Sequence, residues 1–168
     1  MKLILKDVAS NALTLVDATM DDTGDKLTVD GSNLTGSNAL TFIGTNEASA
    51  EVSVTGGAGA DAITGGGGDD TIIGGAGANV LTGNAGVDSI TGGADADTIT
   101  GGAGADKLVG GNGANKFVYL SSAADATGTG ETITGGTGTD TLVVSGGTTA
   151  VDFSNDTLSA LNTLELTK

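Results

Sequence analysis

The chain has no cysteine, histidine, proline, tryptophan or arginine, and its 168 residues include one Tyr and three Phe. Without cysteine there is no disulfide framework. Without histidine or cysteine the usual zinc ligands, general bases and thiol nucleophiles are missing. No G-x-S-x-G elbow and no zinc-protease helix motif occurs. No catalytic function is therefore expected. The aromatic share, 2%, is too small for a conventional globular core. No apolar run is long enough to span a bilayer, and Met1–Asp7 is too short and too soon charged for a secretory signal peptide. Lysine is the only cation: 6 basic residues face 21 acidic ones, for a net charge of −15. That excess argues against nucleic acid and anionic membrane surfaces as partners. High glycine with high charge is ordinarily a signature of disorder.

Against these absences stands one strict regularity. Seven nine-residue units run without a gap from Gly56 to Val118, the first being Gly56-Gly57-Ala58-Gly59-Ala60-Asp61-Ala62-Ile63-Thr64. The sixth position reads Asp61, Asp70, Asn79, Asp88, Asp97, Asp106, Asn115. The eighth reads Ile63, Ile72, Leu81, Ile90, Ile99, Leu108, Phe117. Each unit offers a six-residue glycine-rich turn and a three-residue strand with an apolar centre. A degenerate pair follows at Ala126–Val143, with Glu131 and Asp140 at the sixth position and Ile133 and Leu142 at the eighth. Short glycine-rich matches to nucleotide loops are by-products of this repeat, since no Lys-Ser/Thr follows them.

These units match GGxGxDxUx, with U a large apolar residue, and the chain resembles the RTX calcium-binding β-roll family, bacterial surface-layer and adhesin-like secreted proteins among them. The resemblance implies an all-β, right-handed parallel β-roll, or β-helix solenoid, built of nonapeptide repeats. It implies Ca2+ in the turns and a secreted bacterial protein, often exported by a type I system. The ligands it implies are the sixth-position residues Asp61, Asp70, Asn79, Asp88, Asp97, Asp106 and Asn115. With them come the first and third turn positions: Gly56, Ala58, Gly65, Gly67, Gly74, Ala76, Gly83, Ala85, Gly92, Ala94, Gly101 and Ala103. Asp140 is added from the degenerate pair.

The physics of the period points the same way. Two units close a coil of 18 residues, so turns 18 apart stack at the strand spacing of roughly 4.8 Å. Stacked aspartates repel, and a hard cation between turns removes that cost. Order is therefore expected to depend on neutralising the acids. One side carries Asp61, Asn79, Asp97 and Asn115; the other carries Asp70, Asp88 and Asp106. Adjacent pairs are Asp/Asn on the first side and Asp/Asp on the second, so the second is expected to bind calcium more tightly. Asp and Asn also stabilise turns without metal, and that reading weighs most for Asn79 and Asn115. Asp69 and Asp95 are expected to be solvated.

Three segments are delimited. Residues 1–55 are expected to form coils with longer turns, for capping or assembly; 56–118 form the calcium-binding roll; 119–168 hold degenerate repeats and a C-terminal cap, assembly or secretion segment. Apolar pairs at Leu13/Leu15, Leu27/Val29, Leu40/Phe42 and Val52/Val54 approach Ile63 at spacings that shorten from 14 to 9. Asp21, Asp22, Asp25 and Asp30 lack the EF-hand spacing and read as a solvated turn. Tyr119–Asp125 reads as an excursion, with strand-like alternation resuming at Thr141–Ser145 and Thr163–Thr167. Asp156–Lys168 reads as a terminal strand or an uncleaved export signal.

Two functions remain open. One is a calcium-folded extracellular structural protein that self-assembles into a surface layer or filament, favoured by a Met start, no attached enzyme and richness in Thr, Ala, Gly, Ser and Val. The other is the calcium-dependent folding and type I secretion module of a larger toxin, hydrolase or adhesin. The terminal strands, with Leu3, Leu5, Leu164 and Leu166, are the expected self-association surface. An outward row of Thr64, Thr82 and Thr100 raises ice binding as a third reading, against which the neighbouring row Ala62, Val80, Thr98, Lys116 is unmatched.

Overall fold

The computed structural model describes residues 1–6, 11–14, 26–45, 49–120, 130–146 and 157–167, with 11–14 described as backbone. Asp21, Asp22, Asp25, Leu15 and residues 121–129 and 147–156 lie outside the described residues, as does Lys168. Among the described residues there are strands and turns and no helix. The strands are β1 (Lys2–Ile4), β2 (Asn11–Thr14), β3 (Lys26–Asp30), β4 (Leu40–Ile43), β5 (Glu51–Thr55), β6 (Ala62–Thr64), β7 (Thr71–Gly75) and β8 (Val80–Ala85). They continue as β9 (Ser89–Gly93), β10 (Thr98–Ala103), β11 (Lys107–Asn112), β12 (Lys116–Leu120), β13 (Thr132–Thr137), β14 (Thr141–Ser145), β15 (Thr157–Ser159) and β16 (Thr163–Thr167).

Odd strands form one eight-stranded sheet and even strands another, each in chain order. Every pairing is parallel. The chain is thus an all-β parallel solenoid that changes sheet at every turn. In the repeats the register advances by one coil: Ile63 lies beside Leu81, Ile72 beside Ile90, and Ile99 beside Phe117. Outside them the coils lengthen, with Lys26 beside Glu51, Asn11 beside Leu40, and Lys107 beside Thr132. The shortening spacing of apolar pairs is seen directly as these longer coils tightening into the repeats.

Period-two alternation dictates what faces inward. The eighth-position residue of each unit is a core plug, and Ile63, Ile72, Leu81, Ile90, Ile99, Leu108 and Phe117 form one buried stack with Leu27, Val29, Leu40, Phe42, Val52, Val54, Ile133 and Leu142. Full burial of each such side chain is worth about 1.5–3 kcal/mol, summed coil by coil. The next inward position is a glycine, which leaves room for the sixth-position side chain beside it.

Four details differ from the sequence reading. Several strands run five or six residues, because the glycines after the plug stay in the ladder: Gly111 pairs with both Gly93 and Gly136. Tyr119 and Leu120 belong to β12, and Tyr119 is buried, since the strand continues to pair with Val144 and Ser145 of β14. Leu34 and Ala50 are buried from within turns. Leu34 escaped a search for alternation because it fills the end of a long turn, where it also accepts the Ala58 N–H. Lastly, Leu3 is half-buried and Leu5 packs against the core, while Ile4 is the exposed apolar residue of β1.

Candidate cation sites in the turns

The sixth-position side chains are buried, each at 2% exposure or less. One oxygen of each is committed to backbone. Asp61 N–H donates to Asn79 Oδ1 (2.8 Å), Asn79 N–H to Asp97 Oδ1 (2.9 Å), and Asp97 N–H to Asn115 Oδ1 (3.0 Å). On the other side Asp70 N–H donates to Asp88 Oδ1 (2.8 Å) and Asp88 N–H to Asp106 Oδ1 (2.9 Å). The two groups expected 18 apart are therefore brought into two continuous ladders. Both ladders extend past the repeats. Asp106 N–H donates to Glu131 Oε2 and Asn115 N–H to Asp140 Oδ1, both at 2.9 Å. Asp140 N–H donates to Asn162 Oδ1 at 2.7 Å. Glu131 takes the acceptor place that Asp or Asn holds elsewhere; Asn162 lies outside the repeats, after a turn that has no glycine.

The second oxygen distinguishes the turns. In the first two units Gly57 N–H reaches Asp61 Oδ2 (2.7 Å) and Gly66 N–H reaches Asp70 Oδ2 (2.8 Å). From Gly75 onward the second turn position has positive φ, including Asn84 at 86°. This conformation is one glycine adopts at little cost and an L-residue rarely takes. The oxygens Asp88 Oδ2, Asp97 Oδ2, Asp106 Oδ2 and Asp140 Oδ2 are then buried with no hydrogen-bond partner.

Each free oxygen faces a small cradle. A Cβ placed on Gly83 would strike Asp88 Oδ2 and the Gly101 carbonyl; one on Gly92 would strike Asp97 Oδ2 and the Gly110 carbonyl. The same pairing joins Asp61 with Gly74, and Asp70 with Gly83. The first-position residues Gly74, Gly83 and Gly101 thus present carbonyls to the coil before them, as does Gly110, and Gly56, Gly65 and Gly92 line the cradles. Of the third-position residues, the Ala76 N–H donates to Gly57 O, Ala94 N–H to Gly75 O, and Ala103 O accepts from Gly86 N–H. At Asp88 and Asp97 a carboxylate oxygen lies beside a carbonyl oxygen with no donor on it, a donor set suited to a hard cation such as calcium, whereas at Asp61 and Asp70 a backbone N–H already reaches the carboxylate. No cluster of three or more acidic side chains occurs among the described residues. Each cradle is built from one carboxylate and backbone.

The asparagines differ. Their Oδ1 atoms are taken by the ladder, so Nδ2 occupies the cradle: that of Asn79 donates to Gly77 O at 2.9 Å and that of Asn115 to Asn112 O at 3.3 Å. The ladder settles the amide orientation.

Burial pushes these carboxyls up. Asp88 rises to about 7, with like charge from Asp106 and Asp70 adding to desolvation. Asp70 and Asp97 rise to about 6, and Asp61 and Asp106 also shift upward, all chiefly by desolvation. Among the described residues no ion pair involves these five carboxyls. Asp69 and Asp95 are exposed yet bonded: Val87 N–H donates to Asp69 Oδ1 (2.7 Å) and Gly77 N–H to Asp95 Oδ2 (3.0 Å). Asp30 lies in β3, where hydrogen bonds from Ser32, with Lys2 at 3.6 Å, hold its carboxyl below the usual range.

The family whose pattern matches the chain is the RTX calcium-binding nonapeptide repeat (4 copies), over residues 53–81 and 82–117. No curated protein and no solved structure matches.

Proposed function

We propose, from the membership of residues 53–117 in the RTX calcium-binding nonapeptide repeat family, that this chain is an extracellular structural protein which folds on calcium and self-assembles through its end coils. The observation that carries the calcium half is the row of buried, unpartnered carboxylate oxygens beside turn carbonyls. Asp88, Asp97 and Asp106, whose second oxygens are unpartnered, are the side-chain ligands in this reading, with the carbonyls of Gly101 and Gly110 beside the first two; Asp61 and Asp70, beside the carbonyls of Gly74 and Gly83, would exchange the Gly57 and Gly66 N–H bonds for an ion. A bound calcium supplies the positive charge that burial otherwise denies the carboxylates. The Asn79 and Asn115 cradles are closed by their own amides, which makes the all-acid side the stronger one. Circular dichroism during a calcium titration tests this: an expanded chain in chelator should become β-rich in millimolar calcium. An unchanged β spectrum in excess chelator would sink it.

The assembly half is supported by the exposed ends. Leu164 and Leu166 of β16 are 58% and 75% exposed, and Ile4 of β1 is 55% exposed. Leu142, Leu158, Leu161 and Leu164 line an open apolar groove at the last coil. Parallel edges of this kind invite another strand, and a head-to-tail contact propagates instead of closing. Electron microscopy in calcium should show filaments or sheets that are lost when β1 or β16 is removed. The repeat family favours a second reading, a folding and type I secretion module of a larger toxin, hydrolase or adhesin. Monodisperse monomers at high concentration in calcium would select that reading. The hydroxyl row Thr64, Thr82, Thr100 ends at Ile43, and its neighbour is the mixed row Ala62, Val80, Thr98, Lys116, so ice binding has no flat matched array behind it.

A further inference from the structure

Asn112 is the third residue of its unit, where the other six units carry Ala58, Gly67, Ala76, Ala85, Ala94 and Ala103, and it is exposed. It is also the chain's one asparagine that is followed by glycine. That pair is chemically fragile. The main-chain nitrogen of the following residue can attack the asparagine Cγ, and a glycine there puts no side chain in the way.

The roll both requires this pair and restrains it. Gly113 has φ at 89°, and a Cβ on it would strike the Asp95 carbonyl of the coil before. A Cβ on Gly138, in the coil after, would strike the Gly113 carbonyl. The stacked turns therefore impose glycine at 113. Asn112 meanwhile is held from two sides. Its backbone pairs with Thr137 in the ladder of β11 and β13, and its Oδ1 accepts the Thr137 hydroxyl at 2.8 Å. Its carbonyl accepts the Asn115 Nδ2–H at 3.3 Å. Ring closure requires the Asn112 side chain to leave Thr137 and fold back over its own peptide bond to Gly113. The closed coil opposes that movement.

We propose that Asn112 is a modification site guarded by calcium: the folded roll preserves it, and a chain that loses its ions deamidates there. It rests on the calcium-folding reading above. In the unfolded chain the Gly113 nitrogen bonds to Asn112 Cγ and the Cγ–Nδ2 bond breaks. The side-chain nitrogen leaves as ammonia, taking the Gly113 amide proton. Water then opens the succinimide. Opening at Cγ gives aspartate; opening at the main-chain carbonyl gives isoaspartate, whose peptide link runs through Cγ. The second product adds a methylene to the main chain where the Asp95, Gly113 and Gly138 turns stack, and takes the chain out of register with Thr137. Chemical conversion of the unfolded chain then makes calcium loss irreversible.

The test holds the full chain at neutral pH in excess calcium, in chelator and in urea. Each sample is followed by circular dichroism and by peptide mapping with mass spectrometry. Asn112 should convert roughly tenfold or more slowly in calcium than in chelator, and in chelator nearly as fast as in urea. When calcium is restored, wild type should lose recoverable β structure in proportion to its isoaspartate at 112. Asn112→Gln, which would have to close a six-membered ring, should keep it. Equal rates in calcium and in chelator, with the β spectrum lost in chelator, overturn the proposal, and so does equal loss of refolding in Asn112→Gln. If that variant does not fold in calcium, the wild-type rates and the proportionality decide alone. A chelator sample that keeps its β spectrum overturns the folding reading instead, and the guarding role of calcium with it.

Discussion

Asp88→Asn should move two observables in opposite directions. In the calcium-free roll the Asp88 carboxyl is raised from 3.8 to about 7 by burial and by Asp106 and Asp70. At pH 7.5 it is largely ionised in both folded and unfolded chains, so the folded state carries nearly the full shift as a penalty. Three pH units correspond to ~4 kcal/mol as a ceiling. Solvent screening through the cradle reduces this to about 1–2 kcal/mol. Asparagine removes the charge yet keeps Oδ1 for the Asp70 N–H, now at 2.8 Å. Its Nδ2 can take the role that the Asn79 amide already plays, donating to a turn carbonyl. The variant should therefore fold more readily in chelator, by about 1–2 kcal/mol at pH 7.5, and no more readily at pH 3.5, where wild type is protonated. In calcium the Gly83 cradle should bind the ion roughly tenfold more weakly. With Oδ1 spent on the ladder, its one free oxygen faces the Gly83 cradle. Osmolyte-induced folding in chelator, followed by circular dichroism, measures the first effect, and isothermal titration the second. A variant no more stable than wild type in chelator, or one that binds calcium equally well, refutes the reasoning.

Asn79→Asp is the converse: it puts a carboxylate beside the Gly92 carbonyl, and should lower calcium-free stability while adding a calcium site, read by the same two assays. Acid should substitute for calcium. Because the folded-state carboxyls of Asp70, Asp88 and Asp97 are raised to about 6, 7 and 6, the folded chain binds more protons. Stability in chelator then falls as pH rises from about 4 to 7. Circular dichroism in chelator should show β structure appearing on acidification over that window, and a flat profile would contradict it. Phe117→Ala removes the largest plug of the repeat stack, which is fully buried. It should cost about 3–5 kcal/mol in saturating calcium, measured by urea denaturation, without altering the number of ions bound.

The plug stack and the two ladders were legible in the sequence because both follow from the period alone. Position eight faces inward wherever the strand sits, and side chains 18 apart share a turn whatever the turn conformation. What the period could not show is how each carboxylate divides its two oxygens. That depends on whether the second turn residue has negative φ, as at Gly57 and Gly66, or positive φ, as from Gly75 onward. Glycine is compatible with both, so the letters are silent. The third-position residues Ala76 and Ala94 use their N–H groups on carbonyls of the preceding coil, contacts that the period alone does not specify. Leu34 was hidden because a core residue within a turn has no alternating neighbours, whereas Ala50 continues the inward alternation of Val52 and Val54 with a side chain too small to stand out. Asn162 was hidden because its turn is shorter than a repeat.

The ladders have a direction. Each turn's N–H is received by a side chain from the following coil: Asp61 by Asn79, Asp88 by Asp106, Asn115 by Asp140. A coil is therefore incomplete until its successor arrives, and the loop to be closed at each step is a single coil, with 18 residues separating the bonded pair in the repeats and 25 at Asn115–Asp140. Growth from either end is not equivalent. Adding a coil at the C-terminal end completes the one below it, whereas a coil added at the N-terminal end arrives already provided for. Loss behaves in the same way: removing the last coil leaves a buried amide without an acceptor on the coil that remains. Truncation from the C-terminal side should thus strip an amide of its acceptor, and N-terminal trimming a side-chain oxygen of its donor, so the two ends fail through different groups.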